Sequence, residues 1–230
     1  GSLSLAGLGV TFPIILLVSA FAMLAGAGGA SRAAVSMGAK DKERAEKYLG
    51  NSTMLLIIFS VILFVVFMLT KDFILMKFGA SEATLQYASD YITIYLAGTV
   101  FVQLALGLNM FITNQGFSKT SMVTVCIGAV LNIILDPIFI YVFGMGVKGA
   151  ALATVISQAV SCLWVVIFLT GGRTILKIRL KNLIPDKDII ISILSLGISP
   201  FIMQATECLI QLTFNNGMLD RKSTRLNSSH

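Results

Sequence analysis

A chain of 230 residues that is 56% hydrophobic and only 12% charged is far from the balance of a water-soluble domain and belongs in a membrane. Its formal net charge of +6 reports orientation before it reports a nucleic-acid partner, because basic residues collect in the cytoplasmic loops of multi-pass proteins. Three cysteines inside apolar segments and one histidine at the last position leave nothing to support a disulfide framework or a metal cluster.

Six apolar segments are each long enough to cross about 30 Å of hydrocarbon at about 1.5 Å per residue. They span residues 5–35, 49–69, 85–112, 119–143, 149–170 and 188–216. The expected fold is all-α, a polytopic membrane helix bundle. Basic residues fall in alternate connections, which places loops 38–47, 114–119 and 171–188 in the cytoplasm by the positive-inside rule.

The first segment places Ala22, Gly26 and Ala30, with Ala25, Gly29 and Ala33, at spacings that let helices approach closely in lipid. Pro13 is expected to bend it. The third carries Gln103, Gly107, Met110 and Asn114 on one stripe, with Asn109 close by. Such polar groups turn inward, either as interhelical glue or as the lining of an aqueous path. Asp90, near the external end, is expected to be an interface residue.

The fourth segment holds the strongest signal, L-N-I-I-L-D-P-I-F-I-Y-V from Leu131 to Val142. Asn132 and Asp136 are one turn apart, about 40° around the helix, and point at the same neighbour. An ionised carboxylate near the bilayer centre costs about 2.5 to 3.5 kcal/mol, so Asp136 should face protein, be protonated or hold a cation. Pro137 cannot donate to the carbonyl of Ile133, which leaves a free acceptor beside the same side chains. Amide, carboxylate and carbonyl together can coordinate a small hard cation or accept a proton.

In the fifth segment Thr154, Ser157, Gln158 and Ser161 lie on one helix face. The short loop from Gly144 to Gly149 makes this helix the antiparallel neighbour of the previous one, so Thr154 and Asp136 should meet at similar depth. Residues 171–188 read as a solvated linker or as a surface helix on anionic lipid, with apolar and basic residues alternating from Ile175 to Leu183. Pro185 marks the start of the last helix. That helix carries Pro200, then Gln204, Glu207, Gln211 and Asn215 on one stripe, where Glu207 either pairs with another helix or lines a cavity. The polar tail from Asp220 resembles translated cloning sequence, and Gly1 to Gly9 lacks a basic leader in a chain that opens on Gly1 without an initiator methionine, so truncation at both ends is expected.

L-N-I-I-L-D-P-I-F-I-Y followed by G-M-G-V-K-G-A-A-L-A-T resembles the fifth and sixth transmembrane helices of the multidrug and toxic compound extrusion (MATE) family. G-A-K-D-K-E-R-A resembles that family's second cytoplasmic turn, and L-G-I-S-P-F-I-M-Q-A-T-E the start of its seventh helix in a bacterial branch. The resemblance implies one incomplete six-helix lobe of a twelve-helix, two-lobe transporter. Residues 1–170 would be the N-terminal lobe without its first helix and 171–187 a cytoplasmic basic inter-lobe linker. Residues 188–219 would begin the C-terminal lobe, and 220–230 would be a non-native tail.

The function implied is antiport that exports amphipathic or cationic small molecules in exchange for Na+ or H+, from a multi-pass protein of the bacterial inner membrane. No cofactor, nucleic-acid partner or metal beyond Na+ is expected, and the full-length protein is expected to be a monomer in the lipid bilayer. Asn132, Asp136 and Thr154 match family cation ligands; Glu207, with Gln204 and Gln103, would line the substrate path. Methionines and phenylalanines on cavity walls would suit varied drugs. The alternative is a flippase of lipid-linked saccharide precursors with a related fold, which would be expected to carry basic residues in the middle of its spans. An enzyme is not expected, since G-x-S-x-G and H-E-x-x-H are both missing from the chain.

Overall fold

Long runs of leucine, isoleucine, valine and alanine, with few interior breakers, leave helix as the only way to satisfy the backbone in lipid. The computed structural model describes residues 2–227, with side-chain surroundings from 3 to 213. Its helices are α1 (Ser2–Gly38), α2 (Lys42–Lys77), α3 (Glu82–Ala97), α4 (Thr99–Asn114), α5 (Ser118–Pro137), α6 (Val147–Thr170) and α7 (Lys187–Asn227). Among the described residues, five helices are long and apolar enough to cross a membrane, or six with α3 and α4 taken as one broken span.

That break corrects the expectation of a single straight span over 85–112. The two halves meet at 59°, with Gly98 at the corner. A Cβ on Gly98 would lie 2.5 Å from the side chain of Val155, so the bend brings the backbone directly against α6. The first span passes through Pro13 as continuous helix. Its small residues do the expected packing: Ala22, Ala25 and Ala30 are fully buried, and a Cβ on Gly26 would lie 2.5 Å from the Cα of Gly107 in α4.

The α1–α2 turn is made by Lys40, whose φ is +61°, and by Asp41, whose side chain accepts from the Arg44 N–H at 3.0 Å to cap α2. The most extensive packing in the chain is between α1 and α7. It depends on glycines, because a Cβ on Gly197 would fall 1.9 Å from the Leu24 carbonyl oxygen and one on Gly28 2.2 Å from that of Ile193. At its cytoplasmic end Arg32 Nε donates to the Ser192 carbonyl at 3.3 Å. The helix α7 continues to Asn227, through the start of the polar tail at Asp220, a stretch with no proline or glycine. The side chain of Asn215 and residues 228–230 lie outside the described residues.

The connection from α6 to α7 is neither a solvated linker nor a surface helix. Only Leu180–Leu183 form a short 3-10 turn, and the segment is docked on the bundle. Gln115 Oε1 accepts from Thr174 Oγ1 at 2.9 Å, from Ile175 N at 2.9 Å and from Leu176 N at 2.8 Å. Asn51 donates to the Asn182 carbonyl at 3.2 Å and accepts from Asp186 N at 2.9 Å. Arg179 Nε pairs with Glu46 Oε2 at 2.7 Å, and Leu176 is fully buried. Backbone donors that a solvated loop gives to water are satisfied here by side chains of α2 and the α4–α5 turn.

Candidate functional site

Pro137 shapes the end of α5. It has no N–H for the Ile133 carbonyl, and the Ile138 N–H turns instead to the Leu135 carbonyl. The backbone then widens into a π-helical turn, Ile138–Val142, a form that concentrates at functional sites. Gly144 and Gly146, at φ +65° and +55°, reverse the chain into α6. The start of α6 abuts the turn so closely that a Cβ on Gly149 would lie 2.8 Å from the Phe139 backbone.

This hairpin brings Asn132, Asp136 and Thr154 together. Asn132 Nδ2 donates to Asp136 Oδ1 at 3.5 Å and to Thr154 Oγ1 at 3.4 Å, and Thr154 Oγ1 donates to the Ala150 carbonyl at 3.0 Å. All three residues are half-buried. The contacts are long, so the cluster is loosely closed. A fourth member comes from α3: the Tyr91 hydroxyl lies beside Thr154 and within electrostatic range of Asp136. Tyr91 is buried and stacks on Tyr95 at a centroid distance of 6.2 Å. Next to Tyr91 on α3, Asp90 pairs with Lys148 at 3.5 Å.

Asn132 and Thr154 also line a cavity of about 280 Å³ between α4, α5 and α6. Asn109, Ser157, Gln158 and Ser161 line it with them, and its apolar wall is Ala105, Leu106, Val125, Gly128 and Ala129. Among the described residues, no charged side chain lines it, and no methionine or phenylalanine does either. The apolar lining of this cavity is aliphatic and not of the Met and Phe kind expected on a substrate path. Asn109 Oδ1 and Ser157 Oγ are buried in its wall without a hydrogen-bond partner, covered by neighbouring atoms. Asn109 was read from the sequence only as a neighbour of the Gln103 stripe.

The other three site residues lie elsewhere. Gln103 is fully buried, and its Nε2 donates to the Val18 carbonyl of α1 at 2.8 Å, the interhelical-glue arrangement rather than a place on an open path. Gln204 and Glu207 join each other at 3.3 Å on the uncovered side of α7. The neighbouring Cys208 faces inward and donates to the Pro13 carbonyl at 3.3 Å. Neither Gln204 nor Glu207 contributes to the cavity among α4, α5 and α6.

The MatE family profile matches residues 1–138. Over 199 residues the chain is 32% identical to the multidrug export protein MepA of Staphylococcus haemolyticus and 30% identical to that of Staphylococcus saprophyticus. Each alignment covers 86% of this chain and 44% of the relative, so the chain spans less than half the length of these relatives. Among solved structures, an inward-facing multidrug resistance MATE transporter of the MOP superfamily superposes with a TM-score of 0.88 at 31% identity, over 92% of this chain and 48% of that one. A MATE transporter in the bent conformation gives 0.84 at 33% identity, over 89% and 46%.

Proposed function

The chain belongs to the MatE family, and from that premise we propose that it supplies about half of a secondary antiporter exporting amphipathic or cationic compounds in exchange for Na+ or H+. The observation that carries this reading is the juxtaposition of Asn132 with both Asp136 and Thr154 at the wall of a cavity without charged lining. A cation arriving from outside neutralises Asp136 and favours one packing of the helices around the Pro137 break; substrate leaves as that packing forms. Coupling follows only if the ion binds the two packings with different affinity.

The chemistry of the donor set fits either ion. Asn132 now turns its amide N–H groups toward two oxygens. A half turn of that amide would present its oxygen beside the Asp136 carboxylate and the Thr154 hydroxyl, an all-oxygen set suited to a hard cation. A proton would instead sit on Asp136 and leave the amide where it is. The polar side chains of the cavity wall, Gln158 and Ser161 among them, meet the polar groups of a substrate, while Glu207 and Gln204 meet a cationic one on the open side of α7. The bacterial plasma membrane is the setting, with the chain's relatives from staphylococci.

The test is accumulation of a fluorescent cationic dye in an efflux-deficient bacterial strain expressing the full-length parent gene. Lower accumulation that responds to an imposed Na+ or pH gradient is expected. Accumulation equal to that of the empty strain under every gradient would overturn the reading.

A further inference from the structure

The docked linker sits at a defined depth and on a defined face. The apolar run of α2 covers residues 49–69, and the partners of the 3-10 turn on α2 are Gly50 and Asn51. Asn51 is two residues inside that run, about 3 Å, so the turn Leu180–Leu183 lies at the boundary between hydrocarbon and headgroups. Asn51 also lies on the helix stripe that continues to Ile58 and Ile62, both exposed among the described residues. The turn sits directly below this uncovered apolar stripe.

Its chemistry suits that place. Asn182 points inward, whereas Leu180 is 86% exposed and Ile184 69% exposed, large apolar groups that would be unfavourable in water. Lys47 and Arg44 occupy the same α2 stripe one and two turns below Asn51, and Lys181 projects from the turn itself. Among the described residues none of these three bases is in an ion pair, while Arg179 is held by Glu46. Apolar anchors at the acyl boundary with unpaired bases just below them are the complement of an anionic phospholipid, whose chains and phosphate present that order of groups.

We propose that Leu180, Ile184, Lys181, Arg44 and Lys47 form a seat for an anionic phospholipid of the cytoplasmic leaflet, holding the linker to the membrane surface. The site is independent of the cation cluster at the other end of α5.

Bromolipid quenching tests it. In the full-length parent protein, Leu180→Trp is made in a background whose native tryptophans, Trp164 among them, are replaced by phenylalanine, and this protein is reconstituted in phosphatidylcholine bilayers, into which dibromo-phosphatidylglycerol or dibromo-phosphatidylcholine is titrated. The indole at position 180 is expected to reach half-maximal quenching with phosphatidylglycerol at a mole fraction at least about fivefold below that which phosphatidylcholine requires, about fivefold being the preference each engaged base confers. Adding Arg44→Gln, Lys47→Gln and Lys181→Gln should merge the two curves, while Arg44→Lys, Lys47→Arg and Lys181→Arg should keep them apart. Coincident curves in the charge-intact protein would overturn the proposal. So would an indole that neither lipid quenches, because the turn would then face water or a soluble partner.

Discussion

Gln115→Leu removes a single oxygen that accepts three hydrogen bonds from the linker at 2.8 to 2.9 Å. The Thr174 hydroxyl can still donate to the Leu176 carbonyl at 2.8 Å, so the loss falls on the N–H groups of Ile175 and Leu176. The exposed Ile175 can find water. Leu176 is fully buried, and its N–H is left without a partner at a cost of about 1 to 3 kcal/mol, beyond about 1 kcal/mol for each bond lost. A total near 3 kcal/mol should speed amide exchange through local opening at Ile175 and Leu176 by about a hundredfold. Hydrogen–deuterium exchange with fragmentation of the 173–178 segment reads this directly, with mid-α6 amides as the internal reference. Gln115→Glu keeps an accepting oxygen and should keep most of the protection. Unchanged exchange in Gln115→Leu, or a rise shared equally by α6, would refute the view that this side chain clamps the linker.

Gly197→Ala places a methyl against the Leu24 backbone of α1 and should lower stability by about 3 kcal/mol or more. Thermal unfolding in detergent checks this, with Gly9→Ala, where a Cβ meets nothing within 4 Å, as the control that should lose no stability. Arg179→Ala leaves the Glu46 carboxylate, 7% exposed at its side chain, without its partner. The half-exposed arginine limits the loss to about 1 to 2 kcal/mol, visible as a lower unfolding temperature, whereas the exposed Lys181→Ala should leave it unchanged.

The legible parts of the molecule were those whose signal is periodic and local. Asn132 and Asp136 share a turn, and a six-residue loop forces the next helix alongside, so their meeting with Thr154 follows from helix geometry alone. Tyr91 recurs with Tyr87 and Tyr95 every four residues, a spacing that marks a helix face but not what the face meets. Its place beside Thr154 comes from the packing of α3 against α6, which no local window contains. Glu46, Asn51 and Gln115 sit at cytoplasmic helix ends, where polar residues ordinarily meet water. Their use as backbone acceptors and donors for a segment more than fifty residues away is a tertiary fact that no window of sequence contains. Gln103 could be glue or cavity lining from its stripe, and burial against the Val18 carbonyl places it between helices.

The central claim is that Asp136 couples an ion to export, and one comparison tests it most directly. Full-length parent protein and its Asp136→Asn variant are expressed in an efflux-deficient strain, and export of a fluorescent cationic dye is followed across imposed Na+ and pH gradients. The account predicts that the variant reaches the membrane in equal amount yet loses gradient-driven export, the gradient that drives the wild type identifying the ion. Export by Asp136→Asn equal to wild type would contradict it, leaving the Asn132 and Asp136 turn a structural feature and Glu207 the better candidate for coupling.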